Sequence, residues 1–155
     1  MKDYTITISD PVTELRKPTV NDDSGVYFVV SAKKGDSGNY LIIRLLYIGR
    51  SNDVNRRINN RHHKHVAIMA ECKNDNAVPL YYYAEVSPAT HDDVVRAESA
   101  LIYNKHPCLN ETADEDFHHP ASHITMERIA NSRNKGVPLP KAFGELDFIV
   151  CRTAK

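Results

Sequence analysis

The 155 residues are enough for one domain with a buried core, or one domain with a small appendage, and 20 basic side chains balance 20 acidic ones. No stretch approaches the ~20 apolar residues of a membrane-spanning helix, and the N-terminus lacks the apolar core of a signal peptide. Three widely spaced cysteines favour reduced thiols over a disulfide framework. We therefore predict a cytoplasmic protein without a membrane partner.

The zero net charge conceals an uneven distribution along the chain. Residues 50–73 carry six Lys or Arg against two acids, and residues 128–155 carry six against two. Residues 111–116 carry four acids and no base. A neutral total argues mildly against nucleic-acid binding, whereas two basic segments are compatible with a surface that faces DNA.

The N-terminal half predicts three strands. Residues 4–8 alternate between polar and apolar and predict a short edge strand. Residues 26–31 and 40–48 predict two longer strands joined by a glycine-containing hairpin loop. The second of these is almost continuously apolar, which is typical of a central strand buried on both faces.

The middle of the chain predicts two helices around a further strand. Residues 54–72 have helical spacing after an N-cap at Asn52 or Asp53, with Val66 among the apolar positions. Residues 80–86 predict a strand in which Tyr82 faces opposite to its two tyrosine neighbours. Residues 90–104 predict a helix that Thr90 caps.

The C-terminal part is less regular. Residues 112–122 predict a loop, residues 125–134 a short helix and residues 145–152 a last strand. Because this part is basic, we expect residues 125–155 to provide DNA contacts or a homodimer surface.

Five short elements occur in a fixed order. Gly25-Val26-Tyr27 begins one predicted strand, and Tyr47-Ile48-Gly49 ends the next. Arg57 follows Gly49 by eight residues. Glu98 lies in the predicted second helix, and Asn110 closes a Pro-x-Leu-Asn segment. In this order and spacing the elements resemble the GIY-YIG nuclease superfamily over residues 25–111.

The resemblance implies an α+β fold: a small three-stranded antiparallel sheet flanked by helices. It also implies three regions, namely an N-terminal extension over residues 1–24, a nuclease core over residues 25–111, and a C-terminal extension over residues 112–155 packed on that core. The activity implied is metal-dependent hydrolysis of phosphodiester bonds in DNA, as in small restriction or phage endonucleases.

The resemblance also assigns roles to individual residues. Tyr27 would act as base or water-positioner, Tyr47 would hydrogen-bond near the phosphate, and Arg57 would hold the scissile phosphate with its forked donors. Glu98 would bind one divalent metal, Mg²⁺ or else Mn²⁺. The supporting motif positions are Gly25, Gly49 and Asn110.

The proton path departs from the family pattern. In part of the family a histidine follows the arginine by one helical turn, and here Arg61 stands at that position. Either Arg61 lowers the pKa of Tyr27 electrostatically, or His62 or His65 takes the proton.

Each of these residues also has an ordinary structural interpretation. Tyr27 and Tyr47 would then be core tyrosines, and Arg57 a solvated helix residue. The alternative function is a catalytically decayed DNA-binding or nucleoprotein-interaction module, which the missing histidine and the zero net charge favour.

Overall fold

A computed structural model describes residues 1–13, 25–51, 64–110 and 117–151. Within these ranges the chain forms six strands and two α-helices, with one 3₁₀ helix at Lys141–Phe143. The strands are β1 (Lys2–Ile8), β2 (Gly25–Lys34), β3 (Tyr40–Arg50), β4 (Val78–Ser87), β5 (Ser122–Arg128) and β6 (Asp147–Val150). The helices are α1 (His65–Asn74) and α2 (His91–Lys105).

All six strands join one curled, mixed sheet in the order β3-β2-β4-β1-β5-β6. Four of the five neighbouring pairs are antiparallel, and β1 runs parallel to β5. The prediction of a small three-stranded antiparallel sheet flanked by helices is therefore wrong. The physical reason is that both terminal segments provide strands that extend the sheet beyond β4.

Two further predictions in these terminal segments are corrected. Strand β1 was expected at an edge, but it lies between β4 and β5. Residues 125–134 were expected to form a helix, but residues 125–128 belong to strand β5. Ile124 and Met126 are buried and alternate with more exposed neighbours, which is the two-residue period of a strand. The predicted last strand is confirmed by β6.

A histidine on β5 connects the two terminal parts of the sheet. Its Nδ1 lies 2.8 Å from Asp3 Oδ1 on β1, and its Nε2 contacts Asp147 Oδ1 on β6. These two carboxylates raise the pKa of His123. Three neighbouring strands are therefore joined at the surface by one imidazole.

The sheet is covered on both faces, and the strands at its centre are apolar on both. Buried residues of α2, including Leu101, pack with Phe28 and Tyr82 on one face. On the other face, Ile68 and Cys72 of α1 pack with a cluster that includes Tyr27, Tyr81 and Tyr83. The prediction that Tyr82 faces opposite to its tyrosine neighbours is confirmed.

The two helices agree with the sequence to different degrees. Thr90 caps α2 as predicted, because its Oγ1 accepts a hydrogen bond from Asp93 N at 3.2 Å. Helix α1 is described only from His65 onward, and residues 52–63 lie outside the described ranges. Val66 was placed among the apolar positions but is 82% exposed. No helix of the described ranges has the length and apolar character needed to cross a bilayer.

Candidate functional site

The two motif tripeptides lie side by side at one end of the β2–β3 pair. Tyr27 is directly opposite Gly49, and Val29 is opposite Tyr47. This register follows from the antiparallel pairing, since one tripeptide begins β2 and the other lies near the end of β3. Two sequence segments that are separated by about twenty residues thus form one surface.

Three tyrosine rings form the body of this site on the α1 face. The ring centroids of Tyr27 and Tyr47 are 6.0 Å apart at an interplanar angle of 46°, and those of Tyr27 and Tyr83 are 6.5 Å apart. Tyr27 is 1% exposed, whereas Tyr47 is half-buried. Solvent therefore reaches this cluster more readily at Tyr47 than at Tyr27.

The two motif glycines are required by close approaches. A Cβ atom at Gly49 would lie 2.7 Å from both Cζ and the hydroxyl oxygen of Tyr27, so the tyrosine ring occupies the space that a side chain would fill. A Cβ atom at Gly25 would lie 2.3 Å from the carbonyl oxygen of Ala84 on β4. Gly49 thus leaves room for the Tyr27 ring, and Gly25 permits the close approach of the β2 and β4 backbones.

Asn110 holds the outer edge of β3 beside these residues. Its Nδ2 donates to Ile48 O at 2.8 Å, and its Oδ1 accepts from Ile48 N at 3.0 Å. Leu109 N donates to Leu46 O at 2.9 Å. The side-chain amide therefore continues a backbone ladder along a sheet edge, and it fixes Ile48 between the two motif residues Tyr47 and Gly49.

Replacing Asn110 by aspartate should destabilise the fold by about 1–3 kcal/mol at neutral pH. The carboxylate keeps one acceptor for Ile48 N, but it presents a second oxygen to Ile48 O in place of a donor. Urea unfolding would measure the loss, with the exposed Asn39→Asp as the control that makes the same chemical change. We expect Asn110→Asp to regain stability toward pH 4, where the carboxyl can donate. Equal stability of both variants would contradict the structural role of Asn110.

Glu98 approaches the end of β3 from the opposite face of the sheet. It lies on α2, whose apolar side packs against the face away from Tyr27. Glu98 Oε1 is 3.9 Å from Nε of Arg50, the residue after Gly49. The side chains of Glu98 and Arg50 are 22% and 29% exposed. Sequence reasoning missed Arg50, although its position directly after the motif glycine at a strand end was an available signal.

The remaining predicted residues are only partly placed. Arg57, Arg61 and His62 lie outside the described ranges. His65 is the first residue of α1 and precedes Ile68 by three positions, so the two share one side of the helix. Ile68 packs in the same cluster as Tyr27. His65 is therefore on the tyrosine side of α1.

A metal at Glu98 would need ligands from outside this chain's described side chains. In the described ranges no three His, Cys, Asp or Glu side chains converge on a metal position. Mg²⁺ is commonly held by one or two carboxylates together with waters and substrate phosphates. The partly exposed Glu98 carboxylate fits that kind of site, in which the substrate completes the coordination.

A charged network, which the sequence analysis also missed, lies at the middle of β3. Arg44 Nε donates to Asp75 Oδ2 at 2.8 Å, and Arg44 Nη2 contacts Glu71 Oε2. Ser31 Oγ donates to the same Asp75 oxygen at 2.7 Å. These bonds raise the pKa of Arg44 and lower that of Asp75. The available signal was one arginine in an otherwise apolar strand, and its effect is to fasten α1 to the sheet.

No family model, no curated protein and no solved structure matches this chain. A function for this chain is therefore inferred from its motif residues and their arrangement.

Proposed function

We propose that the chain is a metal-dependent endonuclease that hydrolyses phosphodiester bonds in DNA, as its resemblance to GIY-YIG nucleases implies. The observation that carries the proposal is the register of β2 and β3. It sets Gly25-Val26-Tyr27 beside Tyr47-Ile48-Gly49, with the Tyr27 ring on Gly49 and 6.0 Å from the ring of Tyr47. The proposal also requires that the Glu98 carboxylate, on a helix that covers the other face of the sheet, reaches the same phosphate at the end of β3.

The two motif tyrosines have different roles in the proposed reaction, one at the attacking water and one at the phosphate. Hydrolysis needs an aligned water, an acceptor for its proton, and donors at the phosphate oxygens. The Tyr27 hydroxyl, fixed by Gly49, positions the water or takes its proton. The half-buried Tyr47 hydrogen-bonds the phosphate, which approaches from its more open side. Arg57 provides the bidentate donor that the resemblance assigns to it.

Glu98 provides the carboxylate for the cation. A divalent ion, when bound, neutralises charge on the phosphate and on the leaving oxygen. The Arg50 guanidinium lies 3.9 Å from this carboxylate, and both side chains are partly exposed. An ion pair of this kind is weak, so a cation would compete with Arg50 for the carboxylate.

Incubation with supercoiled plasmid tests the proposal. We expect nicked and then linear DNA with Mg²⁺ or Mn²⁺, and no cleavage when EDTA removes the cation. The same reactions must be run at a protein concentration at which DNA binding is saturated, so that weak binding does not pass for inactivity. Saturated binding without cleavage under any divalent metal would contradict the enzymatic proposal.

That negative result would favour the second candidate, a catalytically decayed DNA-binding or nucleoprotein-interaction module. The specific observation in its favour is the 1% exposure of Tyr27, because a base must reach its water. Arg61 in place of the family histidine also favours it.

A further inference from the structure

A basic groove lies at the far end of β2 from the tyrosine cluster. An open groove of about 530 Å³ lies between the end of β2, the last turns of α1 and the start of β4. Lys33 and Lys34 of β2 and Lys73 of α1 line it. The described lining contains three lysines and no acidic side chain.

Two carboxylates near the groove already have partners, although Lys33 also helps to lower the pKa of Asp75. Asp75 and Glu71 are both engaged by Arg44, and Asp75 also accepts from Ser31. Counting Arg44 with the three lysines gives four cations against two carboxylates, a local charge of +2. These side chains therefore give a local excess of positive charge on a protein whose total charge is zero.

The wall of the groove is fixed by the end of α1. Ala77 N donates to Cys72 O at 2.8 Å, and Asn76 N donates to Lys73 O at 3.0 Å. Asn76 adopts φ 51°, a left-handed conformation that asparagine tolerates better than most residues. This pair of bonds is the Schellman arrangement, and it sets the Lys73 backbone against the start of β4.

The groove combines charge with apolar surface. Met69 and Val78 both line it and are 43% and 46% exposed. A sugar–phosphate backbone offers anionic oxygens for the lysines and sugar carbons for these side chains. An open trough also suits a long polymer better than an enclosed small molecule.

The spacing along β2 connects the groove to the tyrosine cluster. Lys33 follows Tyr27 by six residues, which at ~3.3 Å per residue is about 20 Å. A DNA strand advances ~3.4 Å per nucleotide, so this distance corresponds to about six nucleotides.

We propose that this groove binds the phosphate backbone of DNA about six nucleotides from the cleaved bond, which rests on the proposed function. The contacts are to phosphates and not to bases, so the groove contributes affinity and register without reading sequence.

The test compares two triple variants at the same three positions. Lys33→Gln, Lys34→Gln and Lys73→Gln remove the positive charge of the groove, whereas the control, Lys33→Arg, Lys34→Arg and Lys73→Arg, keeps it. Fluorescence anisotropy of a labelled duplex in EDTA, at several salt concentrations, gives Kd and its salt dependence without cleavage. Thermal melting checks that both variants are folded.

We expect the groove variant to lose about 2.7 from the slope of log K against log salt, because each phosphate contact contributes ~0.9. Its Kd should rise at least about 10-fold at low salt by the same counterion release, while the control changes less than about 2-fold. Equal slopes for the two variants would overturn the proposal. So would a wild-type protein that binds no duplex, or one that prefers polyglutamate to DNA.

Failure of the groove and failure of the nuclease are distinguishable in these measurements. If the groove variant loses affinity but wild-type protein never nicks plasmid, the groove stands and the enzymatic proposal fails. If plasmid is cut and the groove variant binds as the control does, the groove alone is wrong.

Discussion

Replacing Glu98 by glutamine is expected to remove detectable cleavage of plasmid while leaving folding and most DNA binding intact. The amide keeps the shape of the side chain but loses the charge that holds a divalent cation. The ion pair with Arg50 is also lost, but at 3.9 Å and partial exposure it contributes little to stability. Loss of cleavage without loss of the fold would therefore mark the carboxylate charge itself as the requirement.

Three measurements distinguish loss of the cation-binding charge from loss of the fold or of DNA binding. Plasmid nicking gives the rate, anisotropy gives DNA affinity, and thermal melting gives stability. The matched control is Glu127→Gln on β5, an exposed glutamate outside the site, which should cut at the wild-type rate. If Glu98→Gln cuts in Mg²⁺ as fast as this control, Glu98 does not belong to the reaction centre.

Local patterns predicted the elements that carry the motifs. The apolar runs around Tyr27 and Tyr47, the tyrosine run of β4 and the Thr90 cap each depend on residues close in sequence. These signals fix which segments are strands or helices. They do not fix which strands become neighbours, because pairing depends on contacts between distant segments.

The prediction of the sheet was wrong because strand pairing depends on residues that are distant in the sequence. Lys2 pairs with Ser122 across most of the chain, and no local feature of residues 2–8 distinguishes an interior strand from an edge strand. The alternation of apolar and polar residues around Ile124 and Met126 is short, and the polar residues that follow do not continue it. The strand pattern of β5 was therefore too weak to be recognised. Parallel pairing of β1 and β5 therefore could not be read from either segment alone.

The candidate site was predicted in part, and for a similar reason. Motif resemblance selected Gly49 and Asn110, but their physical roles needed the register: Gly49 lies under the Tyr27 ring, and Asn110 bonds both backbone groups of Ile48. Resemblance did not indicate that Glu98 lies on a helix covering the face opposite Tyr27. The predicted roles of Tyr27, Tyr47, Arg57 and Glu98 remain predictions.

Replacing Tyr27 by phenylalanine should lower the cleavage rate by about 10²–10⁴-fold, the range typical of a lost proton-transfer group. The ring, its packing on Gly49 and its contact with Tyr47 are all retained, so the melting temperature should fall no further than in a variant that loses another buried tyrosine hydroxyl. Tyr81→Phe is the control, since Tyr81 belongs to the same buried cluster but to neither motif. Single-turnover rates at saturating protein measure the chemical step rather than DNA binding.

The pH dependence of the wild-type rate then identifies the partner of Tyr27. If His62 or His65 takes the proton, cleavage falls toward acid pH, because a protonated imidazole no longer accepts. Alanine at the responsible histidine should flatten that acid limb. If Arg61 acts electrostatically, both histidine variants keep the wild-type profile and Arg61→Ala is the damaging change. A Tyr27→Phe protein that cuts as fast as Tyr81→Phe would exclude both schemes, since neither histidine nor arginine would then act through the Tyr27 hydroxyl.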